Sequence, residues 1–229
     1  MISGGIIALC LIGAILQGIF IYSEFKKKWL AAVFLKGSAS IIFVIVGICE
    51  YIAVGGSAFS RLVMFGLMLG AIGDILLNIR YLAGNRNQFF FVVGTLSFFT
   101  GHILYLAALI SIADRMIYAL TAAGVITAVI IVTMAFKVIT SFPMKCLGAL
   151  YVCAVVLMAC VAVVNALSVH DTGRILYAVG ASLFLISDLI LIFNTFGKNP
   201  QMKWSAVCLS LYYPGQILIA LALGFIRFG

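Results

Sequence analysis

The stretch FSRLVMFGLMLGAIGDILLNI (59–79) decides the class of this chain. It is long and apolar enough to cross a bilayer core, which takes about 20 such residues. It also carries an acid, Asp74, well inside the run. Reading outward for runs of the same kind gives eight: 3–23, 30–53, 59–79, 88–110, 116–136, 146–166, 174–194 and 204–226. The first lacks a basic leader and a small-residue cleavage site, so it reads as a retained span. The expected fold is all-α, a polytopic bundle of eight transmembrane helices forming a single membrane domain over residues 1–229.

Composition agrees. Of the 229 residues 66% are hydrophobic and 9% charged, and mean hydropathy is +1.30; a soluble domain carries about 25% charged residues. The net charge of +8 is spread over short loops, which argues for topology signals and lipid headgroup contact and against nucleic acid. Loops after spans one, three, five and seven hold Lys26, Lys27, Lys28, Arg80, Arg86, Lys137, Lys145, Lys198 and Lys203. The opposite side holds Arg61, Arg115, Arg174 and Arg227. This asymmetry puts the first set in the cytoplasm and both termini outside, in the cell membrane if the source is a bacterium. Cys10, Cys49, Cys146, Cys153, Cys160 and Cys208 form no CxxC pair and have no companion His at metal spacing, so they read as small packing residues rather than metal ligands. Gly66 and Gly70 likewise read as sites of close helix approach.

The acids carry the functional signal. An ionisable side chain inside a span costs roughly 2.5–3.5 kcal/mol on insertion scales and needs a reason to be there. Glu24, Asp114 and Asp171 fall in expected loops and Glu50 near a span end, whereas Asp74 in GDILLN (73–78) and Asp188 in SDLILIFN (187–194) do not. Each follows a small residue, and 28 residues on lies a polar cluster: Gly101-His102 with Tyr105, and Gly215-Gln216 with Tyr212 and Tyr213. The repeated offset suggests a duplication of two four-span halves, an arrangement that places sites where halves meet. At 1.5 Å per residue, Asp74 lies about 8 Å and Asp188 about 9 Å from the cytoplasmic ends of their spans, with Lys36 about 9 Å in from the same side. Asn78 is one turn from Asp74 on the same face. One buried aspartate can simply bridge helices; two at matched depth beside a lysine point to a polar cavity with a function. Two carboxyls in a low-dielectric pocket do not both ionise easily, which sets a general acid beside a general base. The pair suits cleavage of an acid-labile bond through a cationic intermediate, and equally a proton-coupled transporter or lipid-handling protein.

The segments GLMLGAIGDILL (66–77), FFTGHILY (98–105), LYVCAVVLMA (150–159), SLFLISDLIL (182–191) and LYYPGQILIA (211–220) resemble the YhhN membrane family, whose characterised members are lysoplasmalogenases. The likeness covers nearly the whole chain. It departs at span two, where the family commonly has Lys-Pro and this chain has Lys36-Gly37. It implies hydrolysis of the vinyl ether of a lysoplasmalogen, a lysophospholipid, to a fatty aldehyde and a glycerophospho-alcohol, with no metal or other cofactor. Asp74 and Asp188 would be catalytic and Lys36 would contact the phosphate. Asn78 would add a hydrogen bond to Asp74 or to a ligand, and His102, Tyr105, Tyr212, Tyr213 and Gln216 would line the cavity.

Overall fold

The computed structural model describes residues 3–226. Eight helices run in chain order: α1 Gly4–Phe25, α2 Trp29–Ala53, α3 Ala58–Ile79, α4 Asn87–Ile110, α5 Met116–Lys137, α6 Phe142–Val169, α7 Thr172–Thr195 and α8 Met202–Ala222. All are long and apolar enough to span a membrane, and no strand occurs among the described residues. The protein is an all-helical, multi-pass membrane protein. Helix starts follow local chemistry. Ser57 and Ser60 form a reciprocal capping box at α3, Asp171 accepts from the Arg174 N–H at α7, and Pro143 occupies the first turn of α6, where its missing N–H costs nothing. For that reason α6 begins at Phe142, before Lys145, earlier than expected. Glu24, expected in a loop, belongs to the last turn of α1. Gly55 and Gly56 take positive φ values of 72° and 70° in the turn into α3, a conformation that side chains disfavour. Arg227 lies outside the described residues.

The tightest helix pairs are α3 with α4 and α7 with α8. Both close on glycine. A Cβ at Gly101 would lie 3.1 Å from the Gly66 carbonyl oxygen, and one at Gly180 would lie 2.7 Å from the Gly215 carbonyl oxygen. Positions 66, 74, 101 and 102 recur as 180, 188, 215 and 216, each 114 residues on. The packing repeats with them: α1 to α4 and α5 to α8 each pack in sequence, α2 crosses to α8 as α6 crosses to α4, and α1 and α5 are the least buried helices. The contact pattern therefore repeats between two four-helix halves that enter the bilayer from the same side.

Gly180→Ala sets a methyl group against backbone that no rotamer change relieves. It is expected to destabilise the protein by about 1–3 kcal/mol, read as a lower Tm in detergent. Gly124→Ala, where nothing lies within 4 Å, serves as the neutral control. Of the cysteines, Cys160 and Cys208 are buried, whereas Cys146 and Cys153 are exposed. Cys146, Cys153 and Cys160 recur every seven residues along α6, and the first two of them lie on the outer surface instead of in the packing expected of them.

Candidate functional site

Asp74 on α3 and Asp188 on α7 line one cavity of about 160 Å³. Each is nearly sealed from the exterior, 5% and 6% exposed. The cavity runs past Leu77, Asn78 and Leu191 toward Glu24, Arg80 and Thr195 at the ends of α1, α3 and α7. It therefore approaches the end of the bundle that carries the more basic set of loops.

The two carboxyls have different partners. Asp74 Oδ2 accepts from Ser40 Oγ at 2.5 Å and from Tyr212 Oη at 2.8 Å. Its Oδ1 faces Lys36 Nζ at 3.4 Å, an ion pair longer than a well-formed hydrogen bond. The ammonium also stands over the Tyr212 ring, 4.1 Å from its centroid, and Lys36 as a whole is 1% exposed. Three donors and no acceptor surround this carboxyl, the set that suits an anion. Asp188 Oδ2 accepts from Tyr151 Oη at 2.6 Å, and His102 Nε2 lies 3.8 Å from the same oxygen. Neither lysine nor arginine forms an ion pair with Asp188 among the described residues.

Behind each acid stands a chain of donors. His102 Nε2 is 3.2 Å from Tyr151 Oη, and its Nδ1 is 3.4 Å from Met158 Sδ. On the other side Tyr105 Oη donates to Gln216 Oε1 at 3.0 Å, Gln216 Nε2 donates to Tyr212 Oη at 3.3 Å, and Tyr212 donates to Asp74. The halves exchange partners here. His102, from the half that holds Asp74, backs Asp188; Gln216, from the half that holds Asp188, backs Asp74. Two glycines seat these groups: a Cβ at Gly66 would overlap the Tyr105 ring, and one at Gly70 would come within 2.9 Å of Gln216 Nε2.

The expected site is thus reshaped. Lys36, Asp74, Asn78, Asp188 and Tyr212 meet at the cavity. Asn78 donates to the backbone carbonyl of Asp74 at 2.9 Å and not to its carboxylate. His102, Tyr105 and Gln216 stand behind the acids instead of lining the cavity. Tyr213 is elsewhere: its hydroxyl packs on Gly13 of α1 and its ring lies near Phe43. The reason is helical geometry, since consecutive residues project about 100° apart and Tyr212 already faces the acids. Sequence reasoning missed Ser40 and Tyr151, the shortest hydrogen-bond donors to the two acids, and Glu24 on the cavity wall. Tyr151 sits in LYVCAVVLMA (150–159), but nothing in that run says which way a tyrosine faces. Gly37 does not interrupt α2, and Lys36 still reaches Asp74.

No curated protein matches the chain, and no solved structure does. A model of the YhhN family matches residues 31–223, a stretch that holds both aspartates and every side chain bonded to them, and the chain belongs to the YhhN family.

Proposed function

We propose that the protein is a membrane hydrolase that cleaves the vinyl ether of lysoplasmalogens, releasing a fatty aldehyde and a glycerophospho-alcohol. The observation that carries this reading is the pair of carboxyls with unlike partners on one cavity. Asp74, beside an ammonium and two hydroxyls, serves as the carboxylate; Asp188, with no cationic lysine or arginine beside it, serves as the acid.

The chemistry balances with these two groups. Asp188 gives its proton to the distal alkenyl carbon, and the adjacent ether oxygen shares the resulting positive charge as an oxocarbenium ion. The Asp74 carboxylate stabilises that charge and takes a proton from the water that adds to the cation. The hemiacetal then collapses. Its hydroxyl proton returns to Asp188, the glycerol oxygen leaves with the proton held by Asp74, and both carboxyls regain their starting forms. Lys36 acts here as the counter-ion that keeps Asp74 charged, in place of the phosphate contact expected from sequence. The lysolipid enters from the basic-loop side, which by the positive-inside rule is the cytoplasmic leaflet, with both termini on the other side.

The test is aldehyde release from a lysoplasmalogen by the purified protein in detergent. A protein that releases none, yet moves protons with a lipid or solute when reconstituted in vesicles, uses the same acids as a carrier, and the hydrolase reading fails. Tyr151→Phe removes the donor to Asp188 and its link to His102, and kcat is expected to fall about 10- to 100-fold with little change in KM. Equal kcat in Tyr151→Phe and wild type contradicts a role for that hydroxyl.

A further inference from the structure

Lys36 is 1% exposed and faces Asp74 at 3.4 Å, which leaves the rim of the cavity as the place for a headgroup anion. Arg80, one residue past α3, is the cation there. It lines the acid-bearing cavity and also an adjoining, more open cavity of about 680 Å³ that continues past Asn87, Gln88, Thr140 and Ser141. The guanidinium is held in place. Its Nη2 donates to Tyr81 Oη at 2.7 Å, and its carbon lies 4.7 Å and 5.1 Å from the ring centroids of Tyr81 and Phe91. Tyr81 is fixed in turn by stacking on Trp29, centroids 4.3 Å apart and planes within 13°. Glu24 shares the cavity wall, yet no ion pair joins it to Arg80, nor does any other carboxylate among the described residues. A positioned guanidinium in direct contact with no carboxylate, with Glu24 acting on it only at longer range, at the junction of a deep apolar cavity and a more polar vestibule, is built to take a phosphoryl group.

We propose that Arg80 binds the phosphate of the lysolipid headgroup, with the vestibule of Asn87, Gln88, Thr140 and Ser141 holding the alcohol beyond it. Arg80 follows Asp74 by six positions, about 9 Å along the helix axis. The vinyl ether of a lysoplasmalogen is set off from its phosphorus by the glycerol carbons and one ester oxygen, a separation that lets one molecule reach both groups. The inference rests on the hydrolase reading for the lipid's identity, but it concerns binding and is tested apart from turnover.

Calorimetric titration in detergent compares a 1-alkyl-glycerophosphoethanolamine, which has no vinyl ether to cleave, with the matching 1-alkylglycerol, which has no phosphate. Wild-type protein is expected to bind the phospholipid about 10- to 100-fold more tightly than the alcohol. Arg80→Ala should abolish that preference while binding the alcohol as wild type does, and Arg80→Lys should restore part of it, since an ammonium cannot bind phosphate bidentately. An unchanged Tm for Arg80→Ala excludes misfolding as the cause. The inference is overturned if Arg80→Ala keeps the phosphate preference, if it weakens both ligands equally, or if wild type has no preference. Failure of the hydrolase reading has a different signature: intact phosphate-dependent binding with no aldehyde from the alkenyl lipid.

Discussion

Asp188→Asn is expected to lower kcat on a lysoplasmalogen by about a hundred- to ten-thousand-fold, the range that a positioned general acid contributes. The argument is local. Asparagine has almost the shape of aspartic acid and still accepts the hydrogen bond from Tyr151 Oη, but it has no proton to give to a carbon. No lysine or arginine loses a partner, because neither ion-pairs with Asp188 among the described residues. The variant should therefore fold, keep its Tm in detergent within a few degrees of wild type, and bind the 1-alkyl lysolipid normally. Wild-type turnover in this variant contradicts the assignment of Asp188 as the acid. Lost turnover accompanied by a large drop in Tm would instead mark a structural role.

Lys36→Met carries the second large effect, on stability as well as activity. It strands the Asp74 carboxylate among Ser40, Tyr212 and apolar helix surfaces with no cation beside it. Removing one partner of a buried pair costs about 3–5 kcal/mol, whereas removing both charges is often nearly neutral. Thermal unfolding in detergent should thus show a marked loss for Lys36→Met and recovery in the double variant Lys36→Met/Asp74→Asn. Both proteins should be inactive, the single variant because Asp74 loses the cation that keeps it charged and the double because the base is gone. If the double variant is as unstable as Lys36→Met alone, Lys36 stabilises the fold by packing on the Tyr212 and Phe20 rings and not by balancing Asp74.

Much of this was legible in the sequence, for reasons that differ by residue. Eight apolar runs announce eight helices, because a bilayer core sets one minimum length for every span. Asp74, Asp188 and Lys36 stand out because charge inside such a run is energetically conspicuous, and simple helix rise places them in one layer. Their common cavity follows from that layer. Hydroxyls give no such signal. Ser40 and Tyr151 are among many serines and tyrosines that an apolar helix tolerates, and only the packing of α2 on α3 and α6 on α7 shows which of them point at a carboxyl. Glu24 was hidden by proximity to the Lys26–Lys28 run, which marks a loop in sequence although α1 continues through Phe25. Tyr212 and Tyr213 are a further case: they project about 100° apart, and packing turns Tyr212 to the acids and Tyr213 to α1.

The duplication also reads differently once the helices are packed. A spacing of 28 residues after each acid groups His102 with Asp74 and Gln216 with Asp188 in the two halves. Instead, the crossings of α4 on α6 and α8 on α2 hand His102 and Gln216 to the other half's acid. One consequence is chemical asymmetry from related parts. An imidazole stands behind the acid and an amide behind the carboxylate, and the lysine lies on one side only.

The claim at the centre of this account is that a carbon of the lipid is protonated from Asp188 and that water, activated by Asp74, supplies the aldehyde oxygen. Hydrolysis of a lysoplasmalogen in heavy water, and separately in heavy-oxygen water, tests it by mass spectrometry of the aldehyde trapped as it forms. The account predicts one deuterium on the carbon next to the aldehyde group, heavy oxygen in the aldehyde and none in the glycerophospho-alcohol. Aldehyde free of deuterium at that carbon, or heavy oxygen found in the alcohol instead, would contradict it.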